Sequence, residues 1–169
     1  VIAGSSGNQI ADAAAITVGD SGQILVNANE TVGALTLTVG DNSSDITIAN
    51  GTALRLNGDV TVAAPRPGAT TTGTSATIGG AGSLELVAAG NATRTFTVND
   101  GAATTDLTIS ATIANGNGTG NFTKAGTGRL TLSGANTFGG TTTVSAGTLR
   151  AAHADALGDT GANTTTTVS

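Results

Sequence analysis

The chain contains no cysteine, methionine, tryptophan or tyrosine, only three phenylalanines and two prolines, and 10% charged residues in a length of 169. Each shortage excludes something. Without cysteine there are no disulfides and no thiolate metal sites. The compartment stays open on that ground alone, although cysteine-poor chains are common among proteins exported unfolded. With so few aromatics the usual bulk of a globular core is missing. The core must come from Leu, Ile, Val and Ala, and it should be thin. Six dispersed basic residues form no stripe, which argues against nucleic acid as a partner. No apolar run approaches the ~20 residues that span a bilayer. The opening VIAGSSGN lacks the basic and apolar regions of a signal peptide. We therefore expect a mature product or a piece of a longer chain, with Val1 and Ser169 as arbitrary boundaries. The net charge is −5. All of it sits in residues 1–85, which hold seven acids and two arginines, while residues 86–169 balance four against four. The ordinary meaning of so mild an asymmetry is solubility.

What the chain does have is alternation. In Gly126–Arg150, GTGRLTLSGANTFGGTTTVSAGTLR, Leu130 and Leu132 share one face and Thr131 takes the other. That is the two-residue period of a half-buried strand. Strands are expected at Arg129–Ser133, Thr141–Ser145 and from Thr148, with Gly/Asn corners between them. Earlier strands are expected at Ala15–Val18, Gln23–Val26, Ala34–Val39, Asp45–Ala49, Ala53–Leu56 and Asp59–Ala63. No window carries a convincing helical stripe. Only Ala11–Ala15 and Ala151–Leu157 could form a helical turn.

Apolar doublets recur at Leu35/Leu37, Val60/Val62, Leu84/Leu86, Leu107/Ile109 and Leu130/Leu132, at intervals of 25, 24, 23 and 23 residues. A fainter series runs Ile24 to Ile46, and Val98 to Phe122 to Val144. Repeats of this length indicate a solenoid. Stacked at ~4.8 Å in parallel register, such coils would bury the doublets as one apolar ladder that no single coil could bury alone. We expect an all-β fold: one parallel β-helix of roughly seven coils spanning residues 1–169, with those ten residues as its structural ladder. Residues 64–73, APRPGATTTG, depart from the pattern. Pro65 and Pro67 remove ladder donors, so this is read as a loop insertion, and insertions on solenoids often cluster on a binding face.

Residues 126–158 resemble the autotransporter-associated β-strand repeat, also called the passenger-associated transport repeat. The residues that carry the resemblance are Gly128, Leu130-Thr131-Leu132-Ser133-Gly134, Asn136-Thr137-Phe138, Gly140-Thr141-Thr142, Val144, Ala146-Gly147-Thr148-Leu149 and Ala156-Leu157-Gly158. Phe138 stands where the family usually has Tyr. The resemblance covers about a fifth of the chain. It implies a right-handed parallel β-helix in a type V secretion passenger, at the cell surface or outside a Gram-negative bacterium. The family is a scaffold and names no catalytic residues.

Chemistry-bearing motifs are few. His153 is the sole histidine, and beside Asp155 it lacks the partners of a triad or metal site. Gly79-Gly80-Ala81-Gly82-Ser83-Leu84 follows the calcium-binding nonapeptide until its sixth position, where Leu84 replaces the liganding Asp. The paired glycines at 116/118 and 126/128 have the wrong spacing for a dinucleotide loop. Asn-x-Ser/Thr triplets begin at Asn29, Asn42, Asn50, Asn91, Asn117, Asn121 and Asn163. In an Asn- and Thr-rich chain these are read as corners, not glycosylation sites. The acid pairs Asp41/Asp45 and Asp100/Asp106 both fall in expected turns.

No cofactor and no metal are expected, and no enzyme. The leading reading is a non-catalytic surface stalk or adhesive segment that contacts a host surface or matrix. A second is a filament: β-helix ends expose strand edges, and Thr164, Thr165, Thr166, Thr167 and Val168 could add to the next copy end to end. A glycan-binding or glycan-cleaving module ranks third.

Overall fold

The computed structural model describes residues 9–63, 74–87, 89–159 and 166–168. Within them the chain forms strands and no helix. The strands run in triplets, one triplet per coil. The first coil is β1 (Ile16–Val18), β2 (Gln23–Val26) and β3 (Glu30–Val32). The second is β4 (Leu35–Thr38), β5 (Asp45–Ile48) and β6 (Ala53–Leu56). The third is β7 (Val60–Ala63), β8 (Ala76–Gly80) and β9 (Ser83–Val87), and the fourth β10 (Ala92–Val98), β11 (Leu107–Ile109) and β12 (Thr112–Gly116). The fifth coil has two strands, β13 (Gly120–Ala125) and β14 (Arg129–Leu132). So does the sixth, β15 (Thr142–Val144) and β16 (Thr148–Ala151). A final strand, β17 (Thr166–Val168), adds a seventh rung.

Every pairing is parallel. The first sheet is ordered β1-β4-β7-β10-β13-β15-β17, the second β2-β5-β8-β11-β14-β16 and the third β3-β6-β9-β12. This is a parallel β-helix with seven rungs on its longest side. Many strands alternate. In β4, Leu35 and Leu37 are buried while Thr36 and Thr38 face outward, and β7 repeats this with Val60 and Val62. Inward side chains from all three sheets join one core that runs from Val18 to Ala156. Burying each Leu, Ile or Val there contributes about 1.5–3 kcal/mol. Strands this short could not hold themselves, so each coil relies on its neighbours.

The expected single ladder is corrected. All ten of its residues are buried, but they belong to three sheets. Leu35 and Leu37 stand opposite Val60 and Val62 in the first sheet. Leu84 stands opposite Leu54 and Ile113 in the third. Leu107 and Ile109 stand opposite Leu130 and Leu132 in the second. The physical reason is that coil length varies. From Ile16 to its partner Leu35 is 19 residues, whereas from Val60 to Phe96 is 36. Excursions at the corners lengthen some turns, and equal spacing along the sequence then crosses from one sheet to the next. Of the fainter series, Ile24 and Ile46 are partners. Phe122, however, lies opposite Arg94 and Thr142, and Val144 opposite Lys124.

The Pro-containing segment 64–73 lies outside the described residues, as do Thr164 and Thr165. Neither helical-turn candidate forms a helix: 12–13 and 154–157 are turns, and β16 extends to Ala151.

Candidate functional site

The corners explain the abundance of Asn and Asp. Their side chains reach from one coil to the backbone of the next. Asn29 Oδ1 accepts the Ala53 amide at 2.9 Å, and Asn91 Oδ1 accepts that of Thr119 at 2.8 Å. Asn121 Oδ1 takes the Thr141 amide at 2.9 Å and its hydroxyl at 3.2 Å. The Asp20 carboxylate accepts the amides of Asp41 and Asn42, and Asp59 that of Thr95. A corner leaves backbone donors that no ladder satisfies, and a buried or half-buried donor must find an acceptor. Three members of the Asn-x-Ser/Thr set, Asn29, Asn91 and Asn121, are therefore stitches between coils.

The densest stitching lies in the fifth coil. Beyond β14 the chain makes no third strand, and residues 133–141 cover that side instead. Asn136, 2% exposed, replaces the missing rung. Its Oδ1 accepts the Ile113 amide of the coil before at 2.8 Å, and its Nδ2 donates to the Ala156 carbonyl of the coil after at 2.7 Å. Its own amide donates to the Asp155 carbonyl, and the Thr137 amide to the Ile113 carbonyl. One side chain thus joins three successive coils. Asn115 adds a second junction, its Oδ1 accepting the amides of Gly120 and Gly139, both at 3.0 Å.

Two residues on, Phe138 turns into the core, fully buried. It completes a column of all three phenylalanines: Phe96 and Phe122 stack at 4.5 Å between centroids, and Phe122 and Phe138 at 6.0 Å. Such pairs contribute about 0.5–1.5 kcal/mol beyond the area they bury. Gly158, at φ +98°, closes over this ring, where a Cβ would fall 2.3 Å from the Phe138 carbonyl oxygen. Only glycine accepts both that conformation and that approach.

Three buried charges are satisfied by backbone. Lys124 holds a core position opposite Phe96 and Val144. Its Nζ donates to the carbonyls of Ala125 and Gly126, each at 2.8 Å, and of Ala146 at 3.1 Å. Burial pulls its pKa below the usual lysine value, partly opposed by the Asp106 charge. Asp106, 2% exposed, accepts the amides of Gly101 at 2.8 Å and Arg129 at 2.7 Å. Glu30, opposite Leu54 at the first coil, accepts the amides of Gln9 at 2.6 Å and Ile10 at 3.1 Å.

Little in these residues forms an active centre. His153 Nδ1 accepts the Asp155 amide at 3.1 Å within an exposed turn. Ser43 donates to Asp45, 3.0 Å away. Among the described residues no group of three His, Cys, Asp or Glu side chains could hold a metal. Among the described residues no helix is long and apolar enough to cross a membrane. Thr166–Val168 pairs with β15 of its own chain, and Val168 is 77% exposed at the outer edge of that sheet.

The stitched coil coincides with a family signature. Residues 122–151 match the model of the passenger-associated-transport-repeat. The chain thus carries a stretch similar to the repeat of autotransporter passengers. It is 39% identical over 104 residues, 62% of its own length, to the adhesin BmaC autotransporter of Brucella suis biovar 1 (strain 1330), of which it spans about 3%. No solved structure matches it. Sequence reasoning found the repeat but missed its two polar keystones, Lys124 and the buried role of Asn136. A lysine placed in the inward phase of β13 was the available signal.

Proposed function

We propose that the chain is a non-catalytic adhesive segment of a surface passenger, a β-helical scaffold that presents its outer faces to a host surface or matrix. The likeness over 104 residues to a protein named as an adhesin carries this reading. The build of the molecule supports it. Polar side chains near the core are spent on holding coils together, and the short, stacked strands suit an elongated scaffold better than an enclosed reaction site. Beads coated with the folded chain should adhere to cultured cells or matrix-coated wells severalfold above beads coated with acid-unfolded chain. Equal adherence of the two would contradict the proposal.

A further inference from the structure

The outward side of the third sheet carries an open groove with a charged pair inside it. Leu54, Leu56, Leu84 and Leu86 point into the core, so alternation turns Arg55, Ser83, Glu85 and Thr112 the other way. Register then sets Arg55 beside Glu85, and Ser83 beside Thr112. The corners at Gly51 and Gly82 add almost no side-chain bulk. The result is an open groove of about 430 Å³.

Inside it Arg55 Nε donates to Glu85 Oε2 at 2.7 Å. Both side chains are only partly exposed, 27% and 16%. This single bond uses one edge of the guanidinium and one carboxylate oxygen. Among the described residues, neither terminal nitrogen of Arg55 and neither lone pair set on Glu85 Oε1 has a protein partner. The groove therefore offers a planar pair of donors next to an acceptor, flanked by the hydroxyls of Ser83 and Thr112. A sugar's vicinal hydroxyls each donate and accept, so they can span such a pair with both roles met. The two charges cancel, which favours an uncharged ligand, and the chain's net charge of −5 works against polyanions.

We propose that this groove is a binding subsite for an uncharged oligosaccharide, with Arg55 and Glu85 grasping adjacent hydroxyls. Binding is non-catalytic and weak. All three phenylalanines are buried and there is no Trp or Tyr, so no aromatic face is present for a sugar ring to stack on. The proposal stands on the groove alone and survives if the adhesive reading fails.

The test is saturation-transfer NMR of the whole chain with a panel of neutral and anionic tetrasaccharides. Transfer to at least one neutral member is expected, with Kd on the order of 1 mM. Arg55→Lys keeps the charge but loses the planar donor edge, and Glu85→Gln keeps the shape but loses the charge. Each should weaken binding at least tenfold, while Thr36→Ala on the first sheet leaves it unchanged. Circular dichroism on each variant confirms the fold, and two independent variants guard against one failing to fold. No transfer to any neutral member, transfer to anionic members only, or transfer that persists in both groove variants would each overturn the proposal.

Discussion

The second to fourth coils and the fifth coil solve the same problem by different means. In the former, three strands per coil stack on three sheets, and the third side is held by backbone ladders such as Leu54 to Leu84 to Ile113. In the fifth coil the third side has no strand. Asn136 bonds the coils before and after it, and Phe138 turns into the core and stacks on Phe122. The difference teaches that a rung of a β-helix can be written in side chains as well as in backbone. It also explains why the repeat is recognisable. A backbone rung accepts any β-forming residue, whereas a side-chain rung demands one particular amide, one ring and one glycine.

If so, substitutions in the fifth coil should be more specific in their effects than those in the earlier coils. The largest loss is expected for Phe138→Ala, about 3–5 kcal/mol, read by urea denaturation. A loss under 1 kcal/mol would mean the column is not a structural element. Leu84→Ala should cost about 2–5 kcal/mol but leave the amide ladder of the third sheet intact, since that ladder does not depend on side-chain identity. Asn136→Ala should cost about 1–3 kcal/mol, because it strands a buried donor and a buried acceptor. A thermal melt indistinguishable from that of the parent would show the stitch is redundant. Asn121→Ala, at an exposed corner, should cost no more than about 0.5–1.5 kcal/mol.

The smallest effect concerns pH. Lys124 is the only lysine, and no Cys or Tyr side chain titrates beside it. Its folded pKa lies below the ordinary 10.5. Between those two values the unfolded chain binds more protons, so stability rises with pH across that window. Relative to Lys124→Met, the parent should gain stability as pH climbs toward 10.5. A constant difference between the two denaturation midpoints from pH 8 to 10.5 would argue that the ammonium is not desolvated.

Much of this was legible in the sequence. Gln23–Val26 and Ala53–Leu56 follow directly from alternation between corner residues, and the repeat near the C-terminal end announces itself. β3 and β12 were not legible. Glu30-Thr31-Val32 is buried at all three positions, and its acid belongs to a backbone contact that only the fold creates. Register was not legible either, because turns of unequal length hide it: Leu84 and Leu107 look like successive rungs and lie on different sheets. The stitching roles were invisible for the same reason. Asn136 and Ala156 are 20 residues apart, and nothing local relates them.

Native-state amide exchange of the Asn136→Ala chain, read residue by residue, isolates the side-chain rung. A selective loss of protection is expected at Ile113, whose amide has Asn136 Oδ1 as its acceptor, while Leu84 in the same sheet keeps the protection it has in the parent. Unchanged protection at Ile113, or an equal loss at Ile113 and Leu84, would contradict a rung made of side chains.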